Sequence, residues 1–125
     1  MIDFNNASFV KLREVSNNTY HSTAGKKLID GEKIIATYQG IRDGVVFTDK
    51  RIMVINVQGI TGKKTSTTSL PYSKIQAFSV ETAGVIDLDS ELELWFSGLG
   101  KIKLEFVSNA NINEICKMIS ERVLC

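Results

Sequence analysis

Few residues in this 125-residue chain have both the type and the spacing for chemistry. The one histidine, His21, stands in an Asn- and Thr-rich stretch with no second imidazole and no nearby carboxylate. A metal site or a general base needs such company, so His21 reads as a surface residue. Cys116 falls on an apolar stripe and reads as a small hydrophobe, while Cys125 ends the chain. Neither thiol has a sequence partner that would make it a nucleophile. Two thiols also fall short of a disulfide framework or a Cys-based zinc site. Asp87, Asp89, Glu91 and Glu93 alternate, but without the glycine and spacing of a calcium loop, so they read as solvent-facing charges. No catalytic residue, metal ligand or cofactor is therefore expected, because no acid, base and nucleophile can be brought together without inventing contacts.

Binding chemistry has more to work with. Asp49, Lys50 and Arg51 form the tightest charge cluster. The cluster suits a structural turn, with Asp accepting backbone amides and Arg pairing across a hairpin. Lys63 and Lys64 sit in a Gly-flanked loop and can touch an anionic surface, at roughly 1 kcal/mol each on a membrane. Arg42 and Lys50 are the other candidate anion contacts. Trp95 lies between Glu93 and Ser97 on the charged side of its segment. An outward Trp marks an interface unless a loop covers it.

The elements that must carry these residues belong to one domain of ordinary size. Hydrophobic residues make up 43% and charged residues 23%, which fits a globular chain and not a disordered one. The length is enough to bury roughly two-thirds of the unfolded surface. Fifteen basic residues oppose fourteen acidic ones, a net charge of +1, which argues against nonspecific nucleic-acid binding. No transmembrane stretch stands out, and residues 1–11 lack the blocks of a secretory signal, so a cytoplasmic location is expected.

Residues 1–30 read as an N-terminal extension, with a weak helix around Ser8–Val15 (Phe9, Leu12 and Val15 on one side) followed by loop. Residues 31–125 read as the domain proper. Its β signals cover 32–39, 45–48, 52–57, 65–70, 74–81, 91–96 and 101–107, seven strands in all. Leu92, Leu94 and Phe96 must share a face with Ile102, Leu104 and Phe106. Paired positions must then sum to an even number, which demands an odd loop. Gly98-Leu99-Gly100 satisfies that, with Gly100 in the left-handed position. The strands 45–48 and 52–57 fit a two-residue loop at Asp49-Lys50 and are apolar on both faces. Val46, Met53, Ile55 and Val57 make up the second face, and something must cover it. The chain closes with a helix over 111–124, carrying Ile112, Ile115, Cys116, Ile119 and Val123 in one stripe and Asn111 with Glu114 as a capping box.

Seven antiparallel strands and a C-terminal amphipathic helix predict a mainly β bent sheet or partly open barrel, capped by the helix. Gly31-Glu32-Lys33-Ile34, Arg42-Asp43-Gly44, Phe47-Thr48-Asp49-Lys50-Arg51-Ile52 and Leu70-Pro71-Tyr72-Ser73-Lys74-Ile75 resemble the single-domain bacterial pleckstrin homology family. The resemblance covers about residues 30–125. It implies a pleckstrin-homology-like fold, a largely undefined role and, as in some members, a ring-shaped homo-oligomer. The cluster of cations with which eukaryotic relatives hold a phosphoinositide is missing, since its region offers Lys33 and Arg42 with Asp43 beside the latter. The expected function is a non-enzymatic module that binds copies of itself, with Val46, Met53, Ile55, Val57 and Trp95 at the contact. The alternative is a peripheral binder of anionic lipid or another anion through Arg42, Lys50, Lys63 and Lys64.

Overall fold

The protein is seen in a computed structural model that describes residues 7–58, 64–82, 89–107 and 110–124. Strands β1 (Ser8–Val15), β2 (Ile34–Gln39), β3 (Asp43–Thr48), β4 (Arg51–Gln58), β5 (Lys64–Pro71), β6 (Ile75–Glu81), β7 (Ser90–Phe96) and β8 (Gly100–Phe106) precede one helix, α1 (Ile112–Val123). The strands form a single curled sheet in the order β5-β4-β3-β2-β1-β8-β7-β6. Its concave side holds the main core, and α1 lays Ile112, Ile115 and Ile119 into it. The N-cap half of the capping box forms, with the Glu114 amide donating to Asn111 Oδ1 at 3.3 Å.

The sheet has eight strands, not seven, and the eighth is the segment that the spacing of Phe9, Leu12 and Val15 presents as a helix. β1 runs antiparallel to β2 but parallel to β8, so the sheet is not wholly antiparallel. The misleading spacing has a local cause. Phe9 pairs with Leu104 and Leu12 with Phe106, so β1 uses three steps where β8 uses two. Lys11 stands within the bulge at φ 57°, in the left-handed region, where the extra residue is taken up. The bulge turns both Phe9 and Leu12 into the core, at 3% and 0% exposure. A strand with one extra residue thus imitates the three-residue spacing of a helix.

The β3–β4 turn is as the parity argument requires, with Phe47 opposite Ile52 and Asp49-Lys50 as the loop. In the last hairpin, paired positions sum to an even number, as expected, but Phe96 pairs with Gly100. The three-residue loop is therefore Ser97-Gly98-Leu99, one residue earlier than Gly98-Leu99-Gly100. Gly98 and Gly100 both take positive φ, 86° and 91°, so either glycine can turn the chain and the spacing of glycines does not choose between them.

Candidate functional site

The apolar second face of β3 and β4 is covered by the chain itself. After β1, successive turns lead into a short 3-10 segment, Ala24–Lys27. Ala24 packs on Val46, Met53 and Ile55, with Tyr20, Leu28 and Ile34 around them. Val46, Met53 and Ile55 are at most 1% exposed, which corrects their reading as an open contact surface. Tyr20 can reach the sheet because β3 offers Gly44, where any side chain would collide with the tyrosine ring. Burial, partly offset by a hydrogen bond with Gln39, raises the Tyr20 hydroxyl pKa.

The far end of this covering layer is fastened by the Thr48–Arg51 turn. Glu32 is buried, and Arg51 donates to both its oxygens, Nε to Oε2 and Nη2 to Oε1, each at 3.0 Å. Thr48 Oγ1 donates to Glu32 Oε2 at 2.6 Å and accepts from the Lys50 and Arg51 amides. The Ile29 amide donates to Glu32 Oε1 at 3.0 Å. Arg51 also reaches the Lys27 carbonyl at 2.6 Å and Ser69 Oγ at 3.0 Å, tying the layer to β5. Asp49 accepts from the Lys33 amide at 2.9 Å, and Tyr72 donates to the Thr48 carbonyl at 2.7 Å. Burial pushes the Glu32 carboxyl pKa up, but Arg51, Thr48 and the Ile29 amide outweigh it and hold it below the ordinary glutamate value. Asp49 and Arg51 are spent on these contacts and act as a clamp, while Lys50 adds only its backbone amide and stays exposed. Sequence reasoning missed Glu32 as the partner of Arg51. Its signal was a glutamate directly after a Gly turn, shared by many surface loops.

The described candidate anion contacts fall at two ends of the sheet. Arg42 and Lys64 lie at one end of the sheet, where the Val57 amide donates to the Arg42 carbonyl and Lys64 pairs with Gln58. Lys50 is exposed at the other end of β3, roughly 20 Å of strand away. Lys63 lies outside the described residues, as do Asp87 and Cys125. His21 is exposed and Cys116 half-buried, its sulfur 4.0 Å from Ser120 Oγ.

Exposed binding potential is concentrated instead at the sheet's two margins. Among the described residues, β5 and β6 each pair on one side only, with β4 and β7. Natural edges are commonly blunted by charge. Here residues 65–70 of β5 and 76–80 of β6 carry none, and the blunting comes from Lys64, Pro71, Glu81 and a bulge between Ile75 and Ala77. Trp95 stands half-buried on the convex face, one strand in from the β6 edge and opposite Ala77 and Lys101. The small Ala77 leaves the indole reachable from that edge. Val57 is likewise half-buried, one strand in from β5 and opposite Thr65.

The fold has known counterparts. The family model described as "Bacterial PH domain" matches residues 3–123. The chain belongs to the bacterial pleckstrin homology domain family. This bacterial PH domain is 48% identical over 95 residues to the uncharacterized protein YjqA of Bacillus subtilis (strain 168), covering 74% of this chain and 76% of that one. It is 30% identical over 106 residues to the uncharacterized protein YozO of the same organism, covering 82% and 91%. Among solved structures, it is similar to a DUF1696 family protein with a pleckstrin-homology domain from Shewanella loihica PV-4, with a TM-score of 0.78 and 38% identity over 90% of this chain and 97% of that one. A pleckstrin homology domain from Shewanella amazonensis SB2B gives a TM-score of 0.67 and 38% identity over 89% and 90%. The match from residue 3 agrees with the place of β1 inside the sheet. No helix among the described residues of this PH domain is long and apolar enough to cross a membrane.

Proposed function

We propose that this bacterial PH domain is a non-enzymatic assembly module, joined to copies of itself through its sheet margins, with Trp95 in the contact. The observation that carries this reading is the pair of margins that are uncharged over residues 65–70 of β5 and 76–80 of β6. An uncovered edge presents a row of backbone donors and acceptors to any compatible strand. The two margins are different surfaces of one molecule, so pairing β5 of one copy with β6 of the next is a head-to-tail contact. Contacts of that kind close into rings when the rotation permits. Trp95 and Ala77 on one side, and Val57 and Thr65 on the other, supply apolar area beside the backbone pairing. A net charge of +1 opposes the approach of identical copies only weakly. Location in the cytoplasm goes with this reading.

Light scattering on the full chain at micromolar concentration tests it. A mass several times 13.9 kDa is expected. Ala77→Lys combined with Trp95→Ala should return a folded monomer by circular dichroism and scattering. A monomeric native chain, or an oligomer indifferent to the double variant, overturns the proposal.

A further inference from the structure

A second site lies where β1 runs out. β1 pairs with β2 only through Thr37–Gln39 and then leaves at Val15 for the convex face. The first half of β2, Ile34–Ala36, therefore has no β1 partner, and α1 lies across the gap from it. The result is a slot open to solvent, of about 320 Å³. One wall is the strand edge at Ile35 and Ala36, and the other is the helix stripe Ile115 and Met118. Ile35 is the extra residue of a bulge against β3 and is 38% exposed.

Charge on the two rims has one sign. Glu14 stands on the β1 side and Glu114 on the helix side. Neither carboxylate has an ion-pair partner among the described residues, as holds for several other surface carboxylates of the chain, but these two face each other across one slot. No Lys or Arg is among the described residues that line the slot. The floor is Tyr38, whose hydroxyl is pushed up to about 12 by burial and then by Glu14, so at neutral pH it is an uncharged surface.

We propose that this slot binds an extended peptide segment of a partner protein that carries a Lys or Arg. A strand edge facing a helix is the shape taken by strand addition, in which main-chain hydrogen bonds give affinity and alternate side chains give selectivity. The peptide continues the line of β1 along Ile34–Ala36. One apolar side chain enters the floor of Tyr38, Ile115 and Met118, and Met118 adapts its shape to it. The neighbouring basic side chain lies between Glu14 and Glu114, which the protein leaves uncompensated. The inference is independent of self-assembly, because the slot is on the concave side, away from the β5 and β6 margins.

Panning a random heptapeptide phage library on the intact chain tests this. Enriched peptides are expected to carry a Lys or Arg next to β-branched residues. A synthetic peptide from that set should shift the amide signals of Ile35, Ala36 and Ile115 in ¹⁵N NMR spectra. Glu14→Gln with Glu114→Gln should weaken it by about tenfold, and N-methylation of alternate peptide amides should abolish binding. Three results overturn the proposal: no enrichment, a neutral or acidic consensus, or shifts confined to another face. Affinity unchanged by the double variant or by N-methylation does so too.

Discussion

The two halves of the sheet solve the burial problem differently. β6, β7 and β8 bury one face only. β7 alternates strictly, from buried Ser90, Leu92, Leu94 and Phe96 to half-buried Glu91, Glu93 and Trp95. Its convex face carries half-exposed ion pairs, Lys101 with Glu93 at 2.9 Å and Lys103 with Glu91 at 3.7 Å. β3 and β4 bury both faces, with Val45, Phe47, Ile52 and Val54 below and Val46, Met53 and Ile55 above. Their convex face carries no open charge network but a layer of the chain's own residues, fastened by a buried ion pair. The difference teaches that a strand apolar on both faces signals a covering layer without saying whose it is. Here the cover comes from the same chain, and self-association has to be argued from the edges.

This contrast can be broken experimentally, first at the clamp. Arg51→Ala leaves the Glu32 carboxylate buried without its partner and should cost about 3–5 kcal/mol in urea unfolding. Arg51→Lys should recover little of it, because an ammonium cannot reproduce the forked contact. Next comes the seat of Tyr20. Gly44→Ala should cost about 1–3 kcal/mol as an overpacked site and should speed tryptic cleavage at Lys26 and Lys27. Hydrogen exchange in β7 should stay as it was. An equal loosening of both halves would show that the layer is not a separate unit. Smallest is the half-exposed pair of the other half, where Glu93→Gln should change stability by less than about 1 kcal/mol. A larger loss would erase the distinction between the two ion pairs.

Much of this architecture is legible in the amino-acid order. Alternation places the seven strands from β2 onward, the Ile112–Ile119 stripe places α1, and parity selects the register class of both tight hairpins. Three features escape for physical reasons. β1 escapes because its bulge gives Phe9 and Leu12 a helical spacing. The covering layer escapes because Tyr20, Ala24 and Leu28, four residues apart, are diluted by polar neighbours and hold their place by contacts with β3 and β4. The margins escape because which strand is outermost is a property of the pairing order, and the composition of β5 gains meaning only once that order is known. At the candidate site, Trp95 and Val57 retain accessible surface, whereas the other three apolar candidates do not.

The parallel seam between β1 and β8 has a consequence for how the chain reaches this state. The ladders β2–β3–β4–β5 and β6–β7–β8 each join neighbours in sequence and need only short loops closed. Phe9 and Leu104 meet from nearly opposite ends of the chain. Loop entropy for that encounter must be met before the pairing rewards it, which makes such contacts slow. During synthesis, β1 leaves the ribosome first and must wait for β8. In the meantime β2 can pair only with Arg13–Val15, while the half that carries Phe9 and Leu12 lacks its β8 partner, and the parallel flank of the sheet is sealed by a strand made before its partner.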